Sequence, residues 1–329
     1  MQIDGQRERN PISRLTLQIT DACNLQCVYC FTGNKECADT FVSEEDFGYF
    51  LAFCLRNGMR GIRLTGGETM LHPHVHRFVR LAVRAGLPVH VFSNFAIKEC
   101  IEAFDVPGRD LSFLVNVNDR EKYDDSAWDN LNRNLERAEQ RGYQIVLGYT
   151  VHTAPFNIPH IVTLASVYNI SKIRVSPAKP TIGAANKSLD LAEMKDFAES
   201  VVRLSRELDS TGRQLVLDCP IPFCHIPQEY LPFFTQELKL TGTCDFGTSF
   251  NVNFEVGHCY VTNSLLAKRN LRTFKDVADM MEYMRGQVKT LDRLCPSLST
   301  CSDCLYGKQG VCAGGCYGFL HKVACGEDI

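Results

Sequence analysis

The sequence predicts an α/β fold: an open, partial (βα)6 TIM-like barrel followed by a small, loop-rich C-terminal domain with metal at its core. Three observations carry this reading. Between about residue 14 and residue 210, short apolar runs alternate with amphipathic stretches. After about residue 212 the alternation stops, and Pro220, Pro222, Pro227 and Pro232 break the periodicity. Finally, 16 cysteines crowd towards the two ends of the chain.

The apolar runs at 15–20, 61–65, 88–93, 111–117, 144–151 and 172–176 read as strands. Helical patterns fall near 43–56, 74–85, 96–104, 124–141, 157–168 and 190–209. Ser43 followed by Glu44, Glu45 and Asp46 is a helix start with its acids in the first turn, and Asn57-Gly58 closes that helix. Strands alternating with helices argue for parallel βα units, since parallel neighbours need helical crossovers. Six such units are two short of a closed eight-fold barrel. Beyond residue 212 only 270–289 reads as a helix, and metal explains a loop-rich segment better than an apolar core does.

The chain has 329 residues, which suggests two domains, 1–211 and 212–329. With 35 basic and 38 acidic side chains the net charge is −3, giving no general field for nucleic acid or a membrane surface. No apolar run approaches a membrane span. The polar start, Met1 to Asn10, has no apolar signal core, so a cytoplasmic location is expected. Cysteine clusters in a reducing compartment point to metal or redox chemistry rather than disulfides.

Cys23, Cys27 and Cys30 follow directly on the first strand. Their spacing also fits one face of a helix, or a zinc site, although zinc usually draws four ligands in paired knuckles. Three cysteines at a strand's carboxyl end fit a cubane [4Fe–4S] cluster better, with one iron left open for substrate or cofactor. Here the sequence resembles the radical S-adenosylmethionine (SAM) superfamily, whose signature is C-x3-C-x2-C with an aromatic residue, here Tyr29, before the last cysteine. A second match is Gly66-Gly67-Glu68 at the end of the second strand. The resemblance implies that this segment receives the SAM amine, glycine allowing close approach and a carboxylate pairing with an ammonium. Thr69 stands where the family usually has proline. Ser93 and Asn94 close the third strand where the family often contacts the ribose or methionine carboxylate. Asn116, Asn118, His152 and Arg174 occupy other strand ends as ordinary turn residues or lesser candidates.

Cys301, Cys304, Cys312 and Cys316 form C-x2-C-x7-C-x3-C, followed by Cys325. Alone this could be a zinc module. Downstream of a radical SAM core it resembles the SPASM extension, which carries two auxiliary [4Fe–4S] clusters. Gly314-Gly315 match the glycines before its last cysteine, and the middle spacer is two residues longer than usual. Carried over, Cys244, Cys259 and Cys316 hold the first auxiliary cluster, with Cys295, Cys224, Cys219 or an open iron completing it. Cys301, Cys304, Cys312 and Cys325 hold the second. Cys37, Cys54 and Cys100 are expected to be structural thiols.

The resemblance implies an oxidoreductase that takes one electron from a donor such as flavodoxin or ferredoxin and cleaves SAM to a 5′-deoxyadenosyl radical. That radical abstracts a substrate hydrogen, and the protein supplies position and water exclusion. A peptide substrate, modified by thioether or carbon–carbon crosslinking, is the leading expectation. Oxidation of an alcohol on an aminocyclitol or sugar is the alternative. Tyr260 stands after Cys259, where sulfatase-maturing relatives have an acid. The short stretch before the first strand has no room for a leader-binding module. A non-catalytic electron-transfer protein would have no need of Gly66-Gly67-Glu68. No catalytic acid or base is identified.

Overall fold

The computed structural model describes residues 12–31, 40–244 and 247–325. In chain order its first half contains β1 (Arg14–Gln18), α1 (Glu44–Arg56), β2 (Gly61–Thr65), α2 (Val75–Arg84), β3 (Val89–Ser93), β4 (Leu111–Val117), α3 (Asp125–Gln140), β5 (Gln144–Val151), α4 (Ile158–Val167), β6 (Lys172–Pro177), α5 (Met194–Asp209) and β7 (Gln214–Leu217). The second half contains β8 (Gly242–Thr243), β9 (Ser249–Phe250), β10 (Glu255–Gly257), β11 (Arg269–Asn270), α6 (Val277–Leu294), α7 (Leu305–Lys308), β12 (Cys312–Gly315) and α8 (Tyr317–Ala324).

Strands β1 to β7 lie side by side in chain order, each parallel to the last. Leu15, Leu17, Ile62, Leu64, Val91, Phe113 and Val115 are fully enclosed, as expected for a parallel sheet covered by helices. Helix α1 starts at Ser43, whose hydroxyl accepts the Asp46 N–H, and buries Phe47, Phe50 and Phe53. The Phe47 ring stacks on Phe78 of α2 with centroids 4.0 Å apart. The sheet is open: β9, β10 and β11 continue it beyond β1, with β9 parallel to β1 and the other two antiparallel. A separate two-stranded sheet pairs β8 with β12.

The predicted α/β architecture is the observed one, with four local differences. No helix forms over 96–104; the segment is a series of turns. Its apolar residues have helical spacing, but Phe95 and Glu99 adopt left-handed backbone (φ 56° and 52°), which no α-helix contains. A seventh parallel strand, β7, is too short to show as a periodic run. The helix expected over 270–289 begins later, because the Asp276 side chain caps it at the Asp279 N–H. Helix α8 follows the last glycine pair, where only loops were expected. Among the described residues no helix is long and apolar enough to cross a membrane.

Candidate functional site

The loop after β1 carries Cys23, Cys27 and Cys30, all half-buried and none in a disulfide, at the carboxyl end of the sheet. Its seat is the loop after β2. The Gly67 N–H donates to the Thr20 carbonyl at 3.0 Å, and the Glu68 N–H donates to the Ala22 carbonyl at 2.7 Å. Both glycines are required by this approach: a Cβ on Gly66 would lie 2.9 Å from the Thr20 carbonyl oxygen, and one on Gly67 2.4 Å from that of Ala22.

Glu68 is 1% exposed, and its carboxylate accepts three protein hydrogen bonds. They come from the Ser93 hydroxyl (2.7 Å), the Asn94 N–H (2.7 Å) and the Met70 N–H (2.9 Å). Burial raises its pKa, and these donors oppose the rise. The side chain therefore clamps the end of β2 to the end of β3. Thr69 reinforces the clamp, its hydroxyl donating to the Phe92 carbonyl at 2.6 Å. Asn94 reaches the cysteine loop, its side-chain amide donating to Asn24 Oδ1 at 2.8 Å. The structure thus brings Gly66, Gly67, Glu68, Ser93 and Asn94 together, with Glu68 and Ser93 bound to each other.

Asn118, at the end of β4, organises the other side of the loop. Its amide donates to Cys27 Sγ at 3.5 Å, and its Oδ1 accepts the Tyr29 hydroxyl. His160 holds the Asn118 carbonyl at 3.0 Å, and Tyr29 lies against the His152 ring at 5.5 Å. The Tyr29 carbonyl accepts from Asn186 at 3.1 Å. Burial, before any other cause, pushes the Cys27 thiol up; the Asn118 hydrogen bond pulls it down.

The remaining cysteines fall into separate groups. Pairing of Gly315 with Thr243 between β12 and β8 sets Cys316 beside Cys244, the residues that follow each. Burial raises the Cys244, Cys259, Cys316 and Cys219 thiols, and neighbouring thiols of this group raise Cys244, Cys259 and Cys219 further. The Lys179 ammonium faces all four. Cys224, Cys301, Cys304 and Cys312 line one pocket with about 110 Å³ of internal space. Cys295 is fully buried with Leu291, Tyr317 and Leu320 in a cluster that Cys244 also packs against, and Cys325 is exposed beside His321. Cys54 and Cys100 are buried, and Cys37 lies outside the described residues. Among the described residues no three His, Cys, Asp or Glu side chains converge closely enough to hold a single metal ion.

Whether these residues suit iron–sulfur clusters can be judged from Lys179. It is 2% exposed, its Nζ donates to the Pro220 carbonyl at 3.3 Å and lies 5.2 Å over the Phe319 ring, and no carboxylate pairs with it among the described residues. A buried ammonium needs a nearby negative charge. Four thiolates around an iron–sulfur core provide one, and the donor set fits. Sequence reasoning missed Lys179 and Asn186, which lie in the loop after β6; their position at a strand's carboxyl end was the available signal.

Residues 17–151 match the sequence profile of the radical SAM superfamily. This segment is a radical SAM domain. A GTP 3′,8-cyclase of Campylobacter fetus subsp. fetus is 33% identical over 88 residues, 25% of this chain and 27% of that protein. The sporulation killing factor maturation protein SkfB of Bacillus subtilis is 30% identical over 154 residues, 47% of this chain and 35% of that protein. The chain spans between 22% and 54% of the length of the first three curated relatives it matches. Among solved structures, Streptococcus suis SuiB bound to precursor peptide SuiA superposes with a TM-score of 0.68 at 16% identity, over 94% of this chain and 73% of SuiB. SuiB bound to S-adenosylmethionine gives the same TM-score at 15% identity, over 94% of this chain and 74% of SuiB. These two likenesses are of fold, and they extend past the radical SAM domain into the cysteine-rich C-terminal half.

Proposed function

We propose that this chain is a radical SAM enzyme that oxidatively modifies a peptide, with auxiliary clusters in its SPASM-like C-terminal half. The observation that carries it is the cysteine loop, with three half-buried cysteines seated by backbone hydrogen bonds on Gly67 and Glu68. In this reading Cys23, Cys27 and Cys30 hold the first cluster and leave one iron open. When bound, that cluster supplies an electron to the SAM sulfonium, and the 5′-deoxyadenosyl radical so formed takes a hydrogen from the substrate.

The protein's own residues position this chemistry. Asn118 directs a hydrogen bond at Cys27 and fixes the Tyr29 ring, so the cluster side of the pocket is oriented by β4. Glu68 fixes the ends of β2 and β3 rather than offering a free carboxylate, so the SAM amine is left to backbone carbonyls of the Gly66-Gly67 turn. From the C-terminal half, Tyr260 stacks on Phe31 of the cysteine loop with centroids 5.9 Å apart. This contact joins the segment after Cys259 to the loop holding Cys30. A flavodoxin or ferredoxin is the proposed electron donor.

SuiB, whose structure holds the precursor peptide SuiA, and SkfB, a sporulation killing factor maturation protein, support a peptide substrate. The likeness to the Campylobacter fetus cyclase covers 25% of this chain. Anaerobically reconstituted protein given dithionite and SAM should release 5′-deoxyadenosine, and Cys27→Ala should release none. With candidate precursor peptides encoded beside the gene, mass spectrometry should show loss of two hydrogens. Absence of 5′-deoxyadenosine from a protein with intact, reducible clusters would leave electron transfer as the function. Turnover of an aminocyclitol or sugar alcohol, with none of peptide, would move the reading to small-molecule dehydrogenation.

A further inference from the structure

We propose that the strap Cys219-Pro220-Ile221-Pro222-Phe223-Cys224 supplies one thiolate to each auxiliary cluster, Cys219 completing Cys244, Cys259 and Cys316, and Cys224 completing Cys301, Cys304 and Cys312. The inference rests on the iron–sulfur part of the proposed function. It replaces Cys325, which the SPASM resemblance put in the second set, and takes Cys219 over Cys295 among the candidates for the first.

The strap begins where β7 ends. Cys219 has a φ of 67°, a left-handed backbone that a non-glycine residue adopts only when its surroundings hold it there. This turn directs the chain across the end of the sheet. Pro220 and Pro222 then fix two of the four intervening φ angles, so the two thiols are held apart on a stiff spacer. Two contacts locate the spacer. The Pro220 carbonyl accepts from buried Lys179. Pro222 lies against Gly315, where an added Cβ would be 2.7 Å from the proline nitrogen and ring. Gly314 and Gly315 have φ of 91° and 84° and stand between Cys312 and Cys316. The strap therefore crosses between the two cysteines that belong to different groups.

Each end meets an incomplete trio. At the first end, β8–β12 pairing sets Cys244 beside Cys316, Pro222 of the strap lies against Gly315 immediately before Cys316, and buried Lys179 holds the Pro220 carbonyl immediately after Cys219. Ligation releases the thiol protons, and the anionic core answers the Lys179 charge. At the other end, Cys224 shares one pocket with Cys301, Cys304 and Cys312, together with Pro222 and Phe223 of the strap. Neither Cys295 nor Cys325 lines that pocket.

The test is iron and sulfide content with EPR of the full-length, anaerobically reconstituted protein. Three cubanes correspond to about twelve irons per chain. Cys219→Ala and Cys224→Ala should each lose one cluster's iron or leave a three-iron signal, whereas Cys295→Ser and Cys325→Ser should keep the full content. Cys219→Asp and Cys224→Asp, which offer an oxygen ligand, should retain iron with a shifted EPR spectrum; this separates ligation from misfolding. Full iron and an unchanged spectrum in the Ala and Asp variants, or loss of a cluster in Cys325→Ser, would overturn the assignment. Release of 5′-deoxyadenosine by the wild-type protein is measured separately; its failure would refute SAM cleavage and leave the iron count standing.

Discussion

Gly67→Ala asks whether backbone contact sets the seat of the cysteine loop. A Cβ at this position lies 2.4 Å from the Ala22 carbonyl oxygen and 2.6 Å from that of Asp21. Non-bonded contact normally begins near ~3.5 Å, so the two segments must separate by about 1 Å. The obstacles are backbone atoms, so no side chain can rotate away. Overpacking of this kind costs about 1–3 kcal/mol. The shift also stretches the hydrogen bonds from Gly67 to Thr20 and from Glu68 to Ala22, each contributing about 1 kcal/mol. Urea unfolding of the apoprotein should therefore show a loss of about 2–4 kcal/mol. Cys23 follows Ala22 directly, so reconstitution should also lose the iron held by that loop. Gly48→Ala in α1 is the control. Nothing lies within 4 Å of its Cβ, and a helix-interior alanine should add about 0.5–1 kcal/mol. A Gly67→Ala protein within about 0.5 kcal/mol of wild type and with full iron would refute the argument.

Three other substitutions probe separate parts of the site. Asn118→Leu removes the donor to Cys27; the reduction potential of the first cluster should fall, read by EPR-monitored titration, and an unchanged potential would detach Asn118 from the sulfur. Lys179→Met removes the buried charge beside Cys219, Cys244, Cys259 and Cys316, and should lower the potential of that auxiliary cluster while leaving the Cys23 cluster unmoved. His90 of β3 is pushed down to about 4 by burial and by Arg63, Arg14, Arg174 and Lys172. A histidine held neutral in the fold gives its full stabilisation above its ordinary 6.5 and loses it as pH falls towards 4. The apoprotein should weaken by up to about 3 kcal/mol across that window, and His90→Gln should flatten this acid limb in pH-dependent melts.

The parallel sheet was legible because short apolar runs, such as Phe113–Val115 of β4 and Ile145–Leu147 of β5, alternate with clear helix starts, the pattern of strands covered by helices. The first cysteine loop was equally legible, since its spacing is local. What the sequence hid depends on distance in space. Cys219 and Cys224 look like scattered thiols until the chain turns after β7 and brings them towards cysteines 25–97 positions away. Cys295 has plausible spacing but ends α6 inside an apolar cluster. Glu68 reads as a free acid, and only the fold shows three donors converging on it. Thr69 reads as a departure from a motif, yet its hydroxyl does locally what a proline would not, tying two strand ends together.

Strand β1 has partners on both edges. On one side is β2, which leads into Gly66, and on the other is β9, with Thr16 opposite Ser249 and Leu17 opposite Phe250. Strand β10 then runs antiparallel to β9, so the chain leaves it towards Cys259 in the direction opposite to that in which β1 leaves towards Cys23. The two halves of the chain are thus joined by backbone hydrogen bonds of one sheet, and sliding β9 along β1 would displace the strands that lead into both cysteine segments.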